Sequence, residues 1–160
     1  MPYASHQSVR IYYQVDGEGP ALVLHHGLGG SLEVWRQLGY AAALRDTYKV
    51  IMLDARGHGA SDKPHDRAAY GLPKCVGDVL AVLEALQLSK AHFLGYSMGG
   101  RIGLGLAKYA PERVKSLALG GTHLTPTRAM LMCSDHWMVV TPRPSWRLSR
   151  GYWKRPFRLR

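Results

Sequence analysis

The stretch that most limits how this chain can fold is Gly95-Tyr96-Ser97-Met98-Gly99. It follows the apolar run 91–94 and precedes a segment of helical character that extends to about Tyr109. In the pattern G-x-S-x-G, the serine occupies a sharp turn between a strand and a helix. The glycines are required because the strand and the helix pass too close to each other for side chains. The pattern therefore predicts a strand, a strained corner at Ser97 and a helix.

A corner of this kind has chemical consequences. The hydroxyl of Ser97 would stand clear of the sheet, and the amide of Met98 would lie at a helix N-terminus, where it can donate to a developing oxyanion. A serine hydroxyl becomes a good nucleophile only when a base takes its proton and an acid orients that base. The alternative is an ordinary tight turn, since serine between glycines also occurs in loops. We interpret Ser97 as a nucleophile.

The rest of the chain alternates between strand and helix patterns. Runs of strand character occur at 8–15, 21–26, 50–53, 91–94 and 114–119. Apolar residues recur at helical spacing over 72–86, with Pro73 in the first turn. A shorter segment that carries Trp35 has Ser31 as its expected N-cap. The alternation predicts an α/β architecture with a mostly parallel sheet and flanking helices.

Three motifs follow one another in a specific order: His26-Gly27-Leu28-Gly29-Gly30, the loop 54–61, which reads DARGHGAS, and the turn around Ser97. In this order they resemble the α/β-hydrolase superfamily, most closely its small esterase, lactonase and carbon–carbon-bond hydrolase branch. The resemblance covers about residues 9–124. It implies a serine hydrolase that cleaves a carboxylic ester, thioester or lactone through an acyl-enzyme and needs no cofactor.

The resemblance also assigns residues. It implies that Ser97 is the nucleophile and that the backbone amides of Leu28 and Met98 form the oxyanion hole. The loop 54–61 is expected to be a hydrogen-bonded turn beside the site. The family supplies its acid and histidine from later in the chain, and neither is recognisable here. His123 is the candidate base, whereas the adjacent Asp135-His136 pair fits poorly because the acid and the base should come from separate loops.

The end of the chain differs in composition from the rest. The net charge is +10, and residues 129–160 contain seven Arg or Lys, one Asp and three of the four tryptophans. We therefore divide the chain into the N-terminal part of an α/β-hydrolase domain, residues 1–126, and a basic, irregular tail, residues 127–160. Arginine interleaved with aromatic residues suits a nucleic acid or a membrane surface. We favour a frameshift or misassembled gene, which predicts a truncated hydrolase whose open sheet edge can self-associate.

Composition excludes other classes of protein. No apolar run approaches the ~18 residues of a membrane span, and the N-terminus lacks the apolar core of a signal peptide. The two cysteines form no disulfide framework and the histidines lack metal-ligand spacing, so we expect a cytoplasmic protein without a metal. The expected partner is a small ester-like molecule rather than a nucleic acid.

Two alternatives to an active hydrolase stay open. One is a catalytically incomplete hydrolase fragment that lacks the acid and the histidine. The other is a nucleotide-binding α/β domain, because Gly27-Leu28-Gly29-Gly30 follows a strand-like run, although the spacing departs from G-x-G-x-x-G.

Overall fold

The computed structural model describes residues 2–122 and the backbone of two further strands, 137–141 and 147–149. The strands are β1 (Tyr3–His6), β2 (Val9–Asp16), β3 (Ala21–His25), β4 (Lys49–Leu53), β5 (Ala91–Tyr96), β6 (Val114–Gly120), β7 (Trp137–Thr141) and β8 (Arg147–Ser149). The α-helices are α1 (Glu33–Gln37), α2 (Tyr40–Leu44), α3 (Leu72–Ala85) and α4 (Met98–Tyr109). Short 3₁₀ turns occupy Arg67–Tyr70 and Pro111–Arg113.

The strands form one mixed sheet in the order β1-β2-β4-β3-β5-β6-β7-β8. Its centre is parallel, because β4, β3, β5 and β6 are joined by helical crossovers. The first two strands and the last two run antiparallel to their neighbours. The predicted α/β fold with a mostly parallel sheet is confirmed.

The core lies on both faces of the sheet. On one face, strand residues Val23, Ile51, Phe93 and Leu117 pack with residues of α3 and α4, among them Val79, Val82, Ile102 and Leu106. On the other face, Leu22, Leu24, Val50 and Met52 pack with Leu32, Trp35 and Ala41. Successive strand residues point to opposite faces. The continuous apolar runs at β3 and β4 therefore mark strands that are covered on both sides, as the sequence predicts.

Two local features differ from the sequence-based expectation. The first strand, β1, carries too short a pattern to be recognised and pairs with β2 in a hairpin. Ser31 is not the N-cap of α1, because that position belongs to Leu32. The amide of Leu32 instead donates to the carboxylate of Asp54 over 2.7 Å. The segment is therefore anchored by a distant acidic side chain rather than by its own serine.

The segment expected to be irregular contains β7 and β8. The strand β7 pairs with β6, with Leu119 opposite Met138, so the edge of β6 that was expected to be open is paired. The division at residue 126 stays a prediction. His123 and the pair Asp135-His136 lie outside the described residues.

Candidate active site

Ser97 forms the corner between β5 and α4. Its backbone has φ +51° and ψ −106°, a conformation that costs a non-glycine residue on the order of 1–3 kcal/mol. Two hydrogen bonds hold the corner: the Ser97 amide donates to the carbonyl of Gly120 over 2.7 Å, and the Arg101 amide donates to the carbonyl of Ser97 over 3.0 Å. The strained turn that the sequence predicts is therefore present and is anchored to both β6 and α4.

The two glycines around Ser97 are required by close approach. A β-carbon on Gly95 would overlap the backbone of Gly99, and a β-carbon on Gly99 would overlap the carbonyl oxygen of His25. The helix α4 therefore lies directly on the ends of β5 and β3. This contact explains why glycine occurs at both positions, as the sequence analysis expects.

The second glycine-rich segment, Gly27 to Gly30, lies against the same corner. The amide of Gly30 donates to the carbonyl of Gly27 over 3.1 Å, Gly29 has φ +75° and Leu28 has a negative φ, which together define a type II turn. A β-carbon placed on Gly27 would lie 3.4 Å from Cβ of Ser97. The loops that follow the neighbouring parallel strands β3 and β5 leave the sheet in opposite directions. Ligand sites in such sheets usually lie at this kind of position.

The amides of Leu28 and Met98 have the character that oxyanion donors need. Within residues 2–122, neither amide donates a hydrogen bond to another protein group. Met98 is the first residue of the 12-residue helix α4, so its amide carries the positive end of a helix dipole. The side chain of Leu28 is 79% exposed and that of Tyr96 is 44% exposed. The glycine turn and the corner therefore each carry one large, accessible side chain.

Two buried histidines form hydrogen bonds with the backbone of this turn. The Nδ1–H of His26 donates to the carbonyl of Gly27 over 2.8 Å, and its Nε2 accepts from the amide of Ala55 over 3.1 Å. The Nδ1–H of His25 donates to the carbonyl of His26 over 3.1 Å. Burial lowers the pKa of His26 and lowers that of His25 to about 3. Both rings are therefore neutral and hold the backbone in place.

The loop 54–61 is a hydrogen-bonded turn, as the resemblance implied. The carboxylate of Asp54 accepts from the amides of Leu32 and Ala60, each over 2.7 Å. The hydroxyl of Ser61 donates to the carbonyl of Asp54 over 2.7 Å. A β-carbon on Gly59 would overlap the Asp54 carboxylate. This loop therefore links β4 to the segment that follows the glycine turn.

Sequence reasoning missed the buried ion pair of Arg56 and Asp78. The guanidinium of Arg56 donates from Nε to Oδ2 of Asp78 over 2.6 Å and from Nη2 to Oδ1 over 2.5 Å, and this carboxylate raises the pKa of Arg56. His6 of β1 lies 2.9 Å from the same carboxylate. The pair joins the loop 54–61 to α3 and β1. No sequence pattern indicated this ion pair, because Asp78 is not one of the apolar residues that recur at helical spacing in α3.

The base that would activate Ser97 is not among the residues that the structure describes. Between residues 2 and 122, no histidine forms a hydrogen bond with the Ser97 hydroxyl. The chain does return to the corner at the end of this range. A β-carbon on Gly100 would lie 2.8 Å from the methyl group of Thr122, and one on Gly121 would lie 2.9 Å from the ring of Tyr96. His123 follows directly in the sequence.

The described part of the chain has two further properties that bear on function. It contains no group of three or more His, Cys, Asp or Glu side chains placed to hold a metal ion. Its helices include none that combines the length and the apolar character needed to cross a membrane.

Known proteins resemble this chain along most of its length. The family model described as alpha/beta hydrolase fold matches residues 20–150, and so extends beyond residue 124. 3-Oxoadipate enol-lactonase 2 of Acinetobacter baylyi is 39% identical over 118 residues, which are 72% of this chain and 43% of the lactonase. A putative carbamate hydrolase, RutD of Azorhizobium caulinodans, is 37% identical over 74% of this chain and 43% of its own.

Solved structures agree with these relatives. A hydrolase from Pseudomonas aeruginosa superposes with a TM-score of 0.72 at 38% identity and covers 78% of this chain and 48% of its own. Est816, described as an N-acyl homoserine lactone degrading enzyme, superposes with a TM-score of 0.68 at 36% identity and covers 74% of this chain and 44% of its own. The chain thus spans less than half the length of the proteins that it matches.

Proposed function

The chain belongs to the α/β-hydrolase family, and on that premise we propose that it carries the nucleophile and the oxyanion hole of a serine hydrolase. The observation that carries the proposal is the strained corner at Ser97 with the glycine turn 27–30 packed against it. A strained backbone persists only where the surrounding structure imposes it, and such sites concentrate where chemistry takes place. In this proposal the corner presents the Ser97 hydroxyl to the substrate, and the amides of Leu28 and Met98 are the oxyanion donors.

The proposed reaction proceeds in two steps. The Oγ of Ser97 attacks the carbonyl carbon of the substrate, a base takes the hydroxyl proton, and the tetrahedral oxyanion accepts hydrogen bonds from the amides of Leu28 and Met98. The intermediate then expels the alcohol, thiol or ring oxygen with a proton returned by the base, which leaves an acyl-Ser97 ester. Water hydrolyses that ester by the same path. The candidate base is His123, supported by the return of the chain to the corner at Thr122.

The proposed substrates are carboxylic esters, thioesters and lactones. The lactone is supported by two relatives, the enol-lactonase of A. baylyi and the lactone-degrading Est816. The exposed side chains of Leu28 and Tyr96 would offer an apolar surface to the acyl or ring portion. A cytoplasmic location also stays a prediction, supported by the free thiol of Cys75.

A nucleotide-binding function is not proposed. In that class, the glycine turn opens a helix whose N-terminus receives the pyrophosphate. Here α1 begins only at Glu33, and the turn 27–30 packs on Ser97 instead. The catalytically incomplete hydrolase is the second outcome of the test, because within residues 2–122 no histidine is hydrogen-bonded to the Ser97 hydroxyl.

Fluorophosphonate labelling of the purified chain, followed by intact mass, tests the proposal. Such a probe reacts only with an activated serine. We expect one adduct, and we expect it to be absent in Ser97→Ala. The matched control is Ser116→Ala, which removes a hydroxyl that contacts His92 near the start of β6. This variant should be labelled as the parent is.

Three outcomes have distinct meanings. An adduct that is lost in Ser97→Ala but retained in Ser116→Ala supports an activated nucleophile, and His123→Ala then tests the base. No adduct on a chain whose far-UV circular dichroism shows the α/β fold identifies a catalytically incomplete hydrolase. An adduct that persists in Ser97→Ala contradicts the assignment of the nucleophile.

A further inference from the structure

His58 makes a pair of hydrogen bonds that the proposed chemistry does not use. Its Nδ1–H donates to the carbonyl of Arg56 over 3.1 Å, which leaves the lone pair on Nε2. That Nε2 accepts the amide hydrogen of Gly29 over 3.2 Å. The ring also packs against the ring of His26, with centroids 5.2 Å apart and planes at 60°. His58 therefore joins the loop 54–61 to the glycine turn 27–30.

The bond from Gly29 favours the observed type of turn. Type I and type II turns differ mainly in the orientation of their central peptide, which here is the peptide between Leu28 and Gly29. In the observed type II turn, the amide of this peptide points at His58. Rotation to the alternative turn would turn the carbonyl of Leu28 toward the His58 lone pair. Acceptance by Nε2 therefore stabilises one orientation over the other.

Apart from this bond, nothing in residues 2–122 restricts rotation of the peptide between Leu28 and Gly29. A β-carbon on Gly29 would meet no atom within 4 Å, and Leu28 and Gly29 are exposed, so packing does not define the orientation of their peptide. The preceding peptide carries the Leu28 amide, the proposed oxyanion donor. That preceding peptide is held at the Gly27 carbonyl, which accepts from His26 and from the amide of Gly30. The two peptides share the α-carbon of Leu28, so the bond from Gly29 to His58 holds the other side of that α-carbon and limits the movement of the Leu28 amide.

We propose that His58 is a positioning residue for the oxyanion hole, and that its Nε2 lone pair keeps the Leu28 amide aimed at the substrate oxygen. The inference rests on the proposed function. It assigns to the loop 54–61 a role in the rate of reaction in addition to its structural role. His58 itself does not touch the reacting atoms.

Two variants distinguish the effect of the Nε2 acceptor from the effect of ring packing. His58→Phe keeps a ring that can pack on His26 but removes the acceptor. His58→Gln places a side-chain carbonyl near the position of Nε2, so it can accept the Gly29 hydrogen. We expect the rate constant for fluorophosphonate labelling of Ser97 to fall about 10- to 100-fold in His58→Phe, because loss of an oxyanion donor costs about 10²–10³ in rate. His58→Gln should stay within about threefold of the parent.

A second measurement does not depend on reactivity. In ¹H–¹⁵N spectra of the full chain, the amide signals of Leu28 and Gly29 should both shift in His58→Phe and should stay close to their original positions in His58→Gln. Should His58→Phe fail to fold, His58→Leu removes the same acceptor with less bulk and takes its place. The melting temperature of each variant shows whether the fold is retained.

The results distinguish this inference from the proposed function. Equal labelling rates in the parent and His58→Phe would overturn the inference while leaving Ser97 as the nucleophile. A parent that is not labelled would overturn the proposed function. In that case, loss of the original Leu28 and Gly29 signals in His58→Phe, with rescue in His58→Gln, would still support His58 as the residue that orients the turn, and unchanged signals would refute it.

Discussion

The two glycine-rich segments of this protein reach their shapes in different ways. The corner at Gly95 to Gly99 is shaped by close approach, because α4 lies on the ends of β5 and β3 without room for a β-carbon. The turn at Gly27 to Gly30 is shaped by side chains, because His26 and His58 bond its backbone and nothing crowds Gly29. The corner should therefore be rigid, whereas the shape of the turn should depend on the hydrogen bonds made by its two histidines.

The largest effect is expected at the corner. A β-carbon in Gly99→Ala would overlap the carbonyl of His25, so α4 must move away from the sheet or the chain must fail to fold. We expect a loss of about 3 kcal/mol or more in the free energy of unfolding, measured by urea denaturation. The control is Gly29→Ala, which meets no atom and should lose only about 1 kcal/mol through its positive φ. Equal losses would show that close approach does not distinguish the segments.

The next effect concerns the carboxylate that anchors the turn from a distance. Asp54 accepts from two backbone amides, and Asp54→Asn replaces one acceptor with an amide group that cannot accept. We expect a loss of about 2 kcal/mol in the free energy of unfolding, since a buried amide is left unpaired. Asp46→Asn, at an aspartate that is 88% exposed and 3.9 Å from Arg45, is the control and should leave the denaturation midpoint unchanged. A midpoint that moves equally in both variants would contradict the anchoring role.

Acid should loosen the histidine-supported turn. The folded protein keeps His25 neutral with a pKa of about 3 and lowers the pKa of His26, whereas the unfolded chain protonates both near pH 6.5. Below that pH the unfolded state binds more protons, so stability is complete above about pH 6.5 and falls as the pH drops toward 3. The slope should approach about 1.4 kcal/mol per pH unit from His25, and His26 should add to it. His26→Gln should reduce the slope; an unchanged slope would show that other groups are responsible.

The smallest effect should have the opposite sign. Ser97 holds a positive φ that glycine adopts freely, so Ser97→Gly should relieve the strain and raise the free energy of unfolding by about 1 kcal/mol, while removing the nucleophile. Ser97→Ala keeps the β-carbon and should show little change. Thermal melting compares the two variants. A Ser97→Gly protein that is less stable than Ser97→Ala would mean that the corner is not strained.

Those features whose cause lies within a short segment could be predicted. The corner at Ser97 was predicted because the glycines that it needs lie within two residues of the serine. The helix predicted at 72–86 is observed as α3 because its apolar repeat alone defines a buried face. Ser31 shows the limit of such local reasoning, since the start of α1 is held by Asp54 rather than by the adjacent serine. The assignments of Ser97, Leu28 and Met98 remain predictions about chemistry, although the geometry at each supports them.

By itself, the sequence determined the alternation of strands and helices and the strained corner, because each depends on periodicity or on glycine positions within a short span. Its three motifs also carried the resemblance to the family. Tertiary structure alone decided which distant side chains meet: His58 with Gly29, Asp54 with Leu32, and Arg56 with Asp78. These contacts join residues more than 20 positions apart. Their partners come together only after the sheet has assembled, so no local pattern can encode them.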